Sequence, residues 1–290
     1  MIDQVAEPVE LGDGDRFGVY TVGPTLGEGG MGRVFRAVEP DGEEVALKVL
    51  RPELCSNGPF RKRFDREAKV AMKVSHPQVV RIIDHGDVDG MLYLTQPYMR
   101  GGSLDALLER EHRLSLESTL RICAEVAAGL DAMHAAGLVH RDIKPHNIML
   151  DDEGAAYVAD LGLAKDREAS VVLTRLGQAV GSIAYMSPEQ IRSERSPDAR
   201  TDVYGLGCVV YECISGSPPF AGRKPMQVMW AHLHDDPTSP SEHRPEVSQE
   251  FGAAVLRALV KEPEGRPQSA SEYARLLHGV AGVPEPPVLS

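Results

Sequence analysis

The spacing of apolar residues changes once along the chain. Across residues 20–26, 33–38, 45–50, 80–84 and 91–95 apolar and polar positions alternate or form short runs, the pattern of β-strands. Asp41-Gly42 and Asp89-Gly90 mark tight hairpin turns between such runs. One helix interrupts them at about residues 60–74, with Phe60, Phe64, Glu67, Ala71 and Val74 on one stripe. The first third is therefore expected to be a small antiparallel sheet with one helix.

After Gly101-Gly102 the spacing becomes helical. Leu116, Leu120, Cys123, Ala127, Leu130 and His134 predict a helix closed by Gly137. Residues 198–214 predict a second, stopping at Gly216, and residues 250–260 a third. A fourth opens on the capping-box pair Ser269 and Glu272 and carries Leu276 and Leu277. Residues 148–150 and 157–159 read as short strands around a turn at residues 152–154. The fold class is α+β, and two unlike lobes joined at Gly101-Gly102 imply a cleft, where ligands bind. Residues 1–16, with five acids and one base, read as an acidic flexible leader, and residues 280–290 as a tail or linker.

Charge and cysteine content narrow the classes of function. Across 290 residues, 31 basic and 43 acidic side chains leave a net charge of −12. That balance argues against nucleic acid and anionic lipid as partners. Cys55, Cys123, Cys208 and Cys213 form no CxxC pair and read as reduced thiols. The first residues have no signal-peptide character, and no apolar run approaches the roughly 18 residues of a membrane helix. The expected setting is cytoplasmic, with a longer membrane-anchored parent as the alternative.

Four segments carry candidate chemistry. Gly27-Glu28-Gly29-Gly30-Met31-Gly32 runs into a predicted strand, Arg33-Val34-Phe35-Arg36-Ala37-Val38. A dinucleotide site would need a helix there. The context favours a hairpin whose bare backbone approaches phosphates; a plain glycine hairpin is the alternative. Lys48 shares a strand face with Ala46 and Leu50. Such a lysine commonly snorkels to water, but Glu67, the charge on the apolar helical stripe, offers it a partner. The opposite face, with Arg61, Lys62, Arg63, Arg66, Lys69 and Lys73, reads as solvated. The third segment is His140-Arg141-Asp142-Ile143-Lys144-Pro145-His146-Asn147. There Asp142 suits a base or orienting carboxylate for a hydroxyl, Lys144 a neutraliser of a migrating phosphoryl group, and Asn147 an oxygen donor to a metal. Asp160-Leu161-Gly162 follows, a carboxylate beside a flexible glycine.

In this order, and with Ser187-Pro188-Glu189, Asp202-Val203-Tyr204-Gly205 and Arg266 after them, these motifs resemble the protein-kinase superfamily, most closely its bacterial eukaryotic-like serine/threonine kinases. The resemblance covers residues 20–279. It implies a two-lobed fold: a kinase domain over residues 17–279, with a small antiparallel β-sheet lobe (17–96) holding one helix, a hinge (97–102) and a larger, mostly helical lobe (103–279). It implies a non-specific serine/threonine protein kinase that uses ATP with Mg²⁺, or Mn²⁺, to phosphorylate Ser/Thr hydroxyls of proteins, itself included. Leu26, Gly27, Glu28, Gly29, Gly30, Met31, Gly32, Val34 and Ala46 would surround the ATP. Lys48 would hold its α/β-phosphates and pair with Glu67. The adenine would meet the Pro97 carbonyl and the Met99 N–H, beside Gln96 at the gatekeeper position. Asn147 and Asp160 would bind the metal, Asp142 would orient the acceptor hydroxyl, and Lys144 would assist it. Residues 163–183 would be the activation segment, with Thr174 and then Ser170 as candidate phosphosites for Arg141 to receive. Glu189 and Arg266 would form a structural ion pair, and Asp202 would brace the catalytic loop. Leu161 in place of the common Phe, Ser182 in place of Thr and Leu176 in place of a second Thr are the departures. A nucleotide-binding pseudokinase and a kinase of small molecules are the competing readings.

Overall fold

A computed structural model of the chain describes residues 11–160, 180–193 and 197–283. Its backbone divides into two compact units, the first holding described residues 11–75 and 80–99, the second 76–79, 100–160 and everything described from Val180 onward.

The first unit is built on β1 (Arg16–Phe17), β2 (Tyr20–Gly29), β3 (Gly32–Val38), β4 (Glu44–Leu50), β5 (Asp84–Val88) and β6 (Met91–Pro97). They form one antiparallel sheet in the order β1-β2-β3-β4-β6-β5. Period-two alternation gives the sheet its core: Val45, Leu47 and Val49 of β4 are buried with Phe17, Tyr20, Val22, Phe35, Ala37 and Tyr93. Ala46 and Lys48, between them, are only partly covered on the other face. Two helices accompany the sheet, α1 (Pro52–Cys55) and α2 (Gly58–Ala71). Asn57 caps α2 by accepting the Phe60 amide at 2.9 Å, and Phe60, Phe64, Ala68 and Ala71 are buried.

Four expectations change here. The single helix gains a one-turn companion, α1, opened by Pro52. Val74 lies beyond the end of α2 rather than on its stripe. The strand expected at residues 80–84 begins only at Asp84: upstream the Val158 amide donates to Gln78 O at 2.8 Å, the Gln96 side chain donates to Val80 O at 3.2 Å, and the Ile83 amide reaches Thr95 O of β6 at 2.8 Å. Residues 11–16 are not a free leader. The Gly14 amide bonds Val22 O, the Val22 amide bonds Asp15 O, each at 2.8 Å, and Leu11 packs on the core. Residues 1–10 lie outside the described residues.

The second unit contains α3 (Leu104–Glu111), α4 (Leu116–Ala135), the hairpin β7 (Ile148–Leu150) and β8 (Ala156–Val158), then α5 (Val180–Ile183), α6 (Pro188–Arg192), α7 (Ala199–Ser215), α8 (Pro225–His234), α9 (Pro240–His243), α10 (Gln249–Arg257) and α11 (Ala270–Ala281). Serines open α3, α4, α10 and α11, each accepting the backbone amide of the residue three positions on. In the expected capping box Ser269 accepts the Glu272 amide at 3.0 Å, but Glu272 returns to the Gln268 amide, at 2.8 Å. α11 runs antiparallel to α4: Ala270 and Ser271 amides donate to Asp131, and His278 meets Leu120 O. Residues 280 and 281, expected in the tail, complete α11, which Gly282 closes in the left-handed region at φ 66°. α7 is nearly all buried, with Val203, Tyr204, Leu206, Cys208, Val210 and Ile214 in the core. All four cysteines are buried and free, and burial pushes the thiols up, that of Cys123 to about 12. No helix among the described residues is long and apolar enough to cross a membrane.

Candidate active site

In the first unit the sheet register lines up the candidate ATP groups. Gly27 pairs with Val34, Val34 with Lys48, and Lys48 with Leu94; Ala46 pairs with Gln96 one step along. Directly opposed residues in a ladder project from the same face, so Val34, Ala46 and Lys48 share the face away from the Val45-Leu47-Val49 core. Leu26 is exposed, and Pro97 ends β6. Met99 is the last described residue of the first unit. Glu67 sits on α2, half-buried, 3.9 Å from Arg66, with Ala68 beside it in the core.

The glycine hairpin closes tightly, Gly29 opposite Gly32 with Gly30 and Met31 at the tip. Its tip is tied down: the Arg51 amide donates to Met31 O at 2.8 Å, the Arg51 side chain to Gly29 O and Glu28, and Arg33 pairs with Glu28. The glycines are not equivalent. A Cβ on Gly32 would lie 2.0 Å from Val49 O, whereas one on Gly27 or Gly29 would meet nothing within 4 Å. Neither Gly27 nor Gly29 has a positive φ. The fold therefore requires glycine at 32 but not at 27 or 29. Gly32→Ala is expected to destabilise by about 1–3 kcal/mol, read by urea denaturation. Gly27→Ala and Gly29→Ala should unfold like wild type while weakening ATP binding in calorimetry.

In the second unit the loop of residues 140–147 is held at several points. Asp202, in the first turn of α7, accepts the His140 amide on Oδ2 and the Arg141 amide on Oδ1, both at 2.8 Å. His140 Nε2 lies 2.8 Å from Ala159 O; a carbonyl only accepts, so Nε2 carries the proton and Nδ1 accepts the Asp142 amide at 3.2 Å. Arg141 and Asp160 adopt positive φ, 65° and 55°, a conformation non-glycine residues rarely hold without such restraint. The Gln190 amide side chain donates to Arg141 O at 2.8 Å from α6.

These restraints converge on Asp142. Asn147 Nδ2 donates to Asp142 O at 2.8 Å and to its Oδ2 at 3.0 Å. Lys144 Nζ stands 3.2 Å from the same Oδ2 and donates to Ser182 Oγ at 3.0 Å. The Ala159 amide donates to Asn147 O at 2.9 Å, which brings Asp160, the next residue, alongside Asn147. The loop thus gathers the Asp142 carboxylate, the Asn147 amide and the Lys144 ammonium, with the backbone of Asp160 beside them. Arg141 Nε is buried and has no hydrogen-bond partner among the described residues.

Glu189 and Arg266 meet in a two-pronged ion pair, Nη1 to Oε1 at 2.9 Å and Nη2 to Oε2 at 2.8 Å. Burial opposes the Glu189 charge, but Arg266 more than offsets it and holds the carboxyl below its ordinary value. Thr174, Ser170, Leu161, Gly162 and Leu176 lie outside the described residues, as does most of the expected activation segment. Sequence reasoning missed Gln190, and it missed Glu212 on α7, which accepts the Tyr185 hydroxyl at 2.6 Å and whose carboxyl burial lifts to about 7. Neither lies in a local pattern that would have marked it.

Known proteins resemble the chain over most of its length. The probable serine/threonine-protein kinase SCO3848 of Streptomyces coelicolor is 39% identical over 272 residues, 92% of this chain and 40% of that protein. Serine/threonine-protein kinase PknE of Mycobacterium tuberculosis is 38% identical over 93% of this chain and 47% of its own length. The chain thus spans less than half the length of these curated relatives. A crystal structure of the M. tuberculosis PknI kinase domain superposes with a TM-score of 0.76 at 30% identity, covering 94% of this chain and all of that one. The family model described as protein kinase domain matches residues 20–275, and the chain belongs to that family.

Proposed function

We propose that the chain is a serine/threonine protein kinase that transfers the γ-phosphate of ATP to Ser/Thr hydroxyls of proteins, with its own activation segment among them. The observation that carries this reading is the environment of Asp142: a carboxylate oriented by Asn147 and Lys144 on a loop fixed by Asp202. Phosphoryl transfer asks for positioning and charge neutralisation more than for covalent help, and these residues supply both. Asp142 accepts the hydroxyl proton as the new O–P bond forms and the bond to the ADP leaving oxygen breaks. Lys144 stabilises the phosphoryl oxygens. Gly27 and Gly29, with open space where a Cβ would stand, let the phosphates approach the backbone, and Lys48, for which Glu67 is the proposed partner, neutralises them.

Asn147 and Asp160 suit a divalent ion. With Asn147 Nδ2 committed to Asp142, its Oδ1 joins the Asp160 carboxylate as an oxygen donor, the set that Mg²⁺ or Mn²⁺ prefers. When bound, the ion neutralises phosphate charge. The buried Nε of Arg141 fits the receipt of a phosphorylated activation-segment residue, with Thr174 the first candidate and Ser170 the second.

The test is incubation of the purified chain with ATP and either Mg²⁺ or Mn²⁺, followed by phosphosite mapping by mass spectrometry. The expected result is phosphate on Thr174 and on a generic protein substrate, and a Thr174→Ala chain that loses that site and works more slowly. ATP binding without any transfer would establish the pseudokinase reading instead. Transfer with no change in Thr174→Ala would remove Thr174 from the scheme.

A further inference from the structure

His134, near the end of α4, has a place in the site that no motif marked. Its Nε2 lies 2.7 Å from Asp202 Oδ2, the oxygen that also accepts the His140 amide. Asp202 is 1% exposed, so the ring and two loop amides take over the role of solvent around its charge. On the other side of the ring, Nδ1 stands 3.8 Å from Asp131 Oδ1, an ion-pair distance rather than a hydrogen bond. Asp131 in turn accepts the Ala270 and Ser271 amides at 3.0 and 3.1 Å, at the start of α11 where the helix favours a negative group. A continuous path therefore runs from the first turn of α11 through Asp131, His134 and Asp202 to the backbone that carries Asp142.

We propose that His134 is a positioning residue of the catalytic loop: its ring, held between two carboxylates, fixes Asp202 against the His140 and Arg141 amides and ties that loop to α11.

Electrostatics supports this role. Burial alone would keep the ring neutral, but the Asp131 and Asp202 carboxylates outweigh it and lift the imidazole to about 9. Asp131 faces it from its own helix and Asp202 from α7; the loop residues His140 and Arg141, and α11, contribute amides to those same carboxylates. The sign follows from a raised folded value. The stabilisation is complete below the ring's unfolded value of about 6.5 and is lost as pH rises through about 9. Above that, Nε2–H still donates to Asp202, but nothing balances the two carboxylates against each other.

Two measurements test it, and only the second rests on the proposed kinase activity. The first follows the histidine Cε1–H signals of the full chain by NMR, with His134→Gln identifying the resonance. His134 should titrate near 9; a midpoint at or below the ordinary value of about 6.5 overturns the proposal. The second compares kcat across alkaline pH in wild type, His134→Gln and His134→Arg. Wild type should lose activity with the midpoint seen by NMR. His134→Gln should start roughly tenfold lower and show no such limb, and His134→Arg, charged throughout, should hold its activity past it. An unchanged alkaline limb in His134→Gln also overturns the proposal. Should His134→Gln fail to fold, His134→Arg and the wild-type titration still decide. Wild type without transfer at any pH would remove the kinase reading alone, leaving His134 to be judged by its titration.

Discussion

Asp142→Asn is expected to fold as wild type does, bind ATP normally and lose phosphotransfer by roughly 10²–10⁴-fold. The substitution keeps shape and an oxygen. Asn147 can still donate to residue 142 through its backbone O, 2.8 Å away, and through the retained side-chain oxygen. What disappears is the negative charge that Lys144 Nζ meets at 3.2 Å, and with it the group able to accept the hydroxyl proton. Since Asp202 holds the loop through the backbone of His140 and Arg141, the loop should not move. Single-turnover transfer from labelled ATP, calorimetric ATP affinity and the thermal midpoint together check this. A variant as active as wild type would remove Asp142 from its role, whereas lost ATP binding would show that the substitution disturbed more than one group.

Arg266→Ala should be the most destabilising single change, costing about 3–5 kcal/mol. The Arg266 side chain is fully buried and that of Glu189 nearly so, at 0% and 8% exposure. Besides Glu189, the guanidinium serves three carbonyls, Val260 O at 2.7 Å, Lys261 O at 2.7 Å and Arg200 O at 3.0 Å, and it lies 4.8 Å from the Tyr204 ring. Truncation strands a buried carboxylate whose remaining side-chain donor is the Thr201 hydroxyl, at 2.8 Å. Lysine is a poor substitute because it cannot present a planar fork. The penalty should depend on pH. Glu189 sits below its ordinary value because of Arg266, so the pair's contribution is present above about pH 4.3 and fades as acid protonates the carboxylate. Urea midpoints, read through Trp230, the one tryptophan of the chain, should therefore differ widely between wild type and Arg266→Ala at neutral pH and converge in acid. Equal midpoints at neutral pH would show that the pair contributes little to stability.

Much of this was legible in the sequence, and the division follows interaction range. Hairpins announced by Asp41-Gly42 and Asp89-Gly90, the strand carrying Lys48 and the long helices each rest on contacts within a few residues. α3 was legible too but was overlooked: Ser103 caps it, and Leu104, Leu107 and Leu108 have helical spacing. α8 and α9 open on prolines within an irregular run, so no clean period marked them. The motif around Asp142 identified its residues, yet the groups that hold it come from afar: Gln190 is 49 residues from Arg141, and His134 is 68 from Asp202. Such partners leave no periodic trace. The strand expected at residues 80–84 starts late for a similar reason: Val80 O is met by the Gln96 side chain, and backbone bonding to β6 begins at the Ile83 amide, on Thr95 O.

The packing of residues 11–17 bears on where the smallest self-sufficient fragment begins. The family match starts at residue 20, and an expression boundary drawn there would look safe. It would strip Leu11 and Phe17 from the apolar face formed by Tyr20, Val22, Ala37 and Tyr93 and leave the outermost strand, β2, without the β1 pairing of Arg16 to Thr21. A bare, partly greasy sheet edge is a template for self-association. Fragments trimmed to the motif boundary should therefore aggregate, while those that retain residue 11 stay dispersed, which places the practical edge of the domain nine residues upstream of the match.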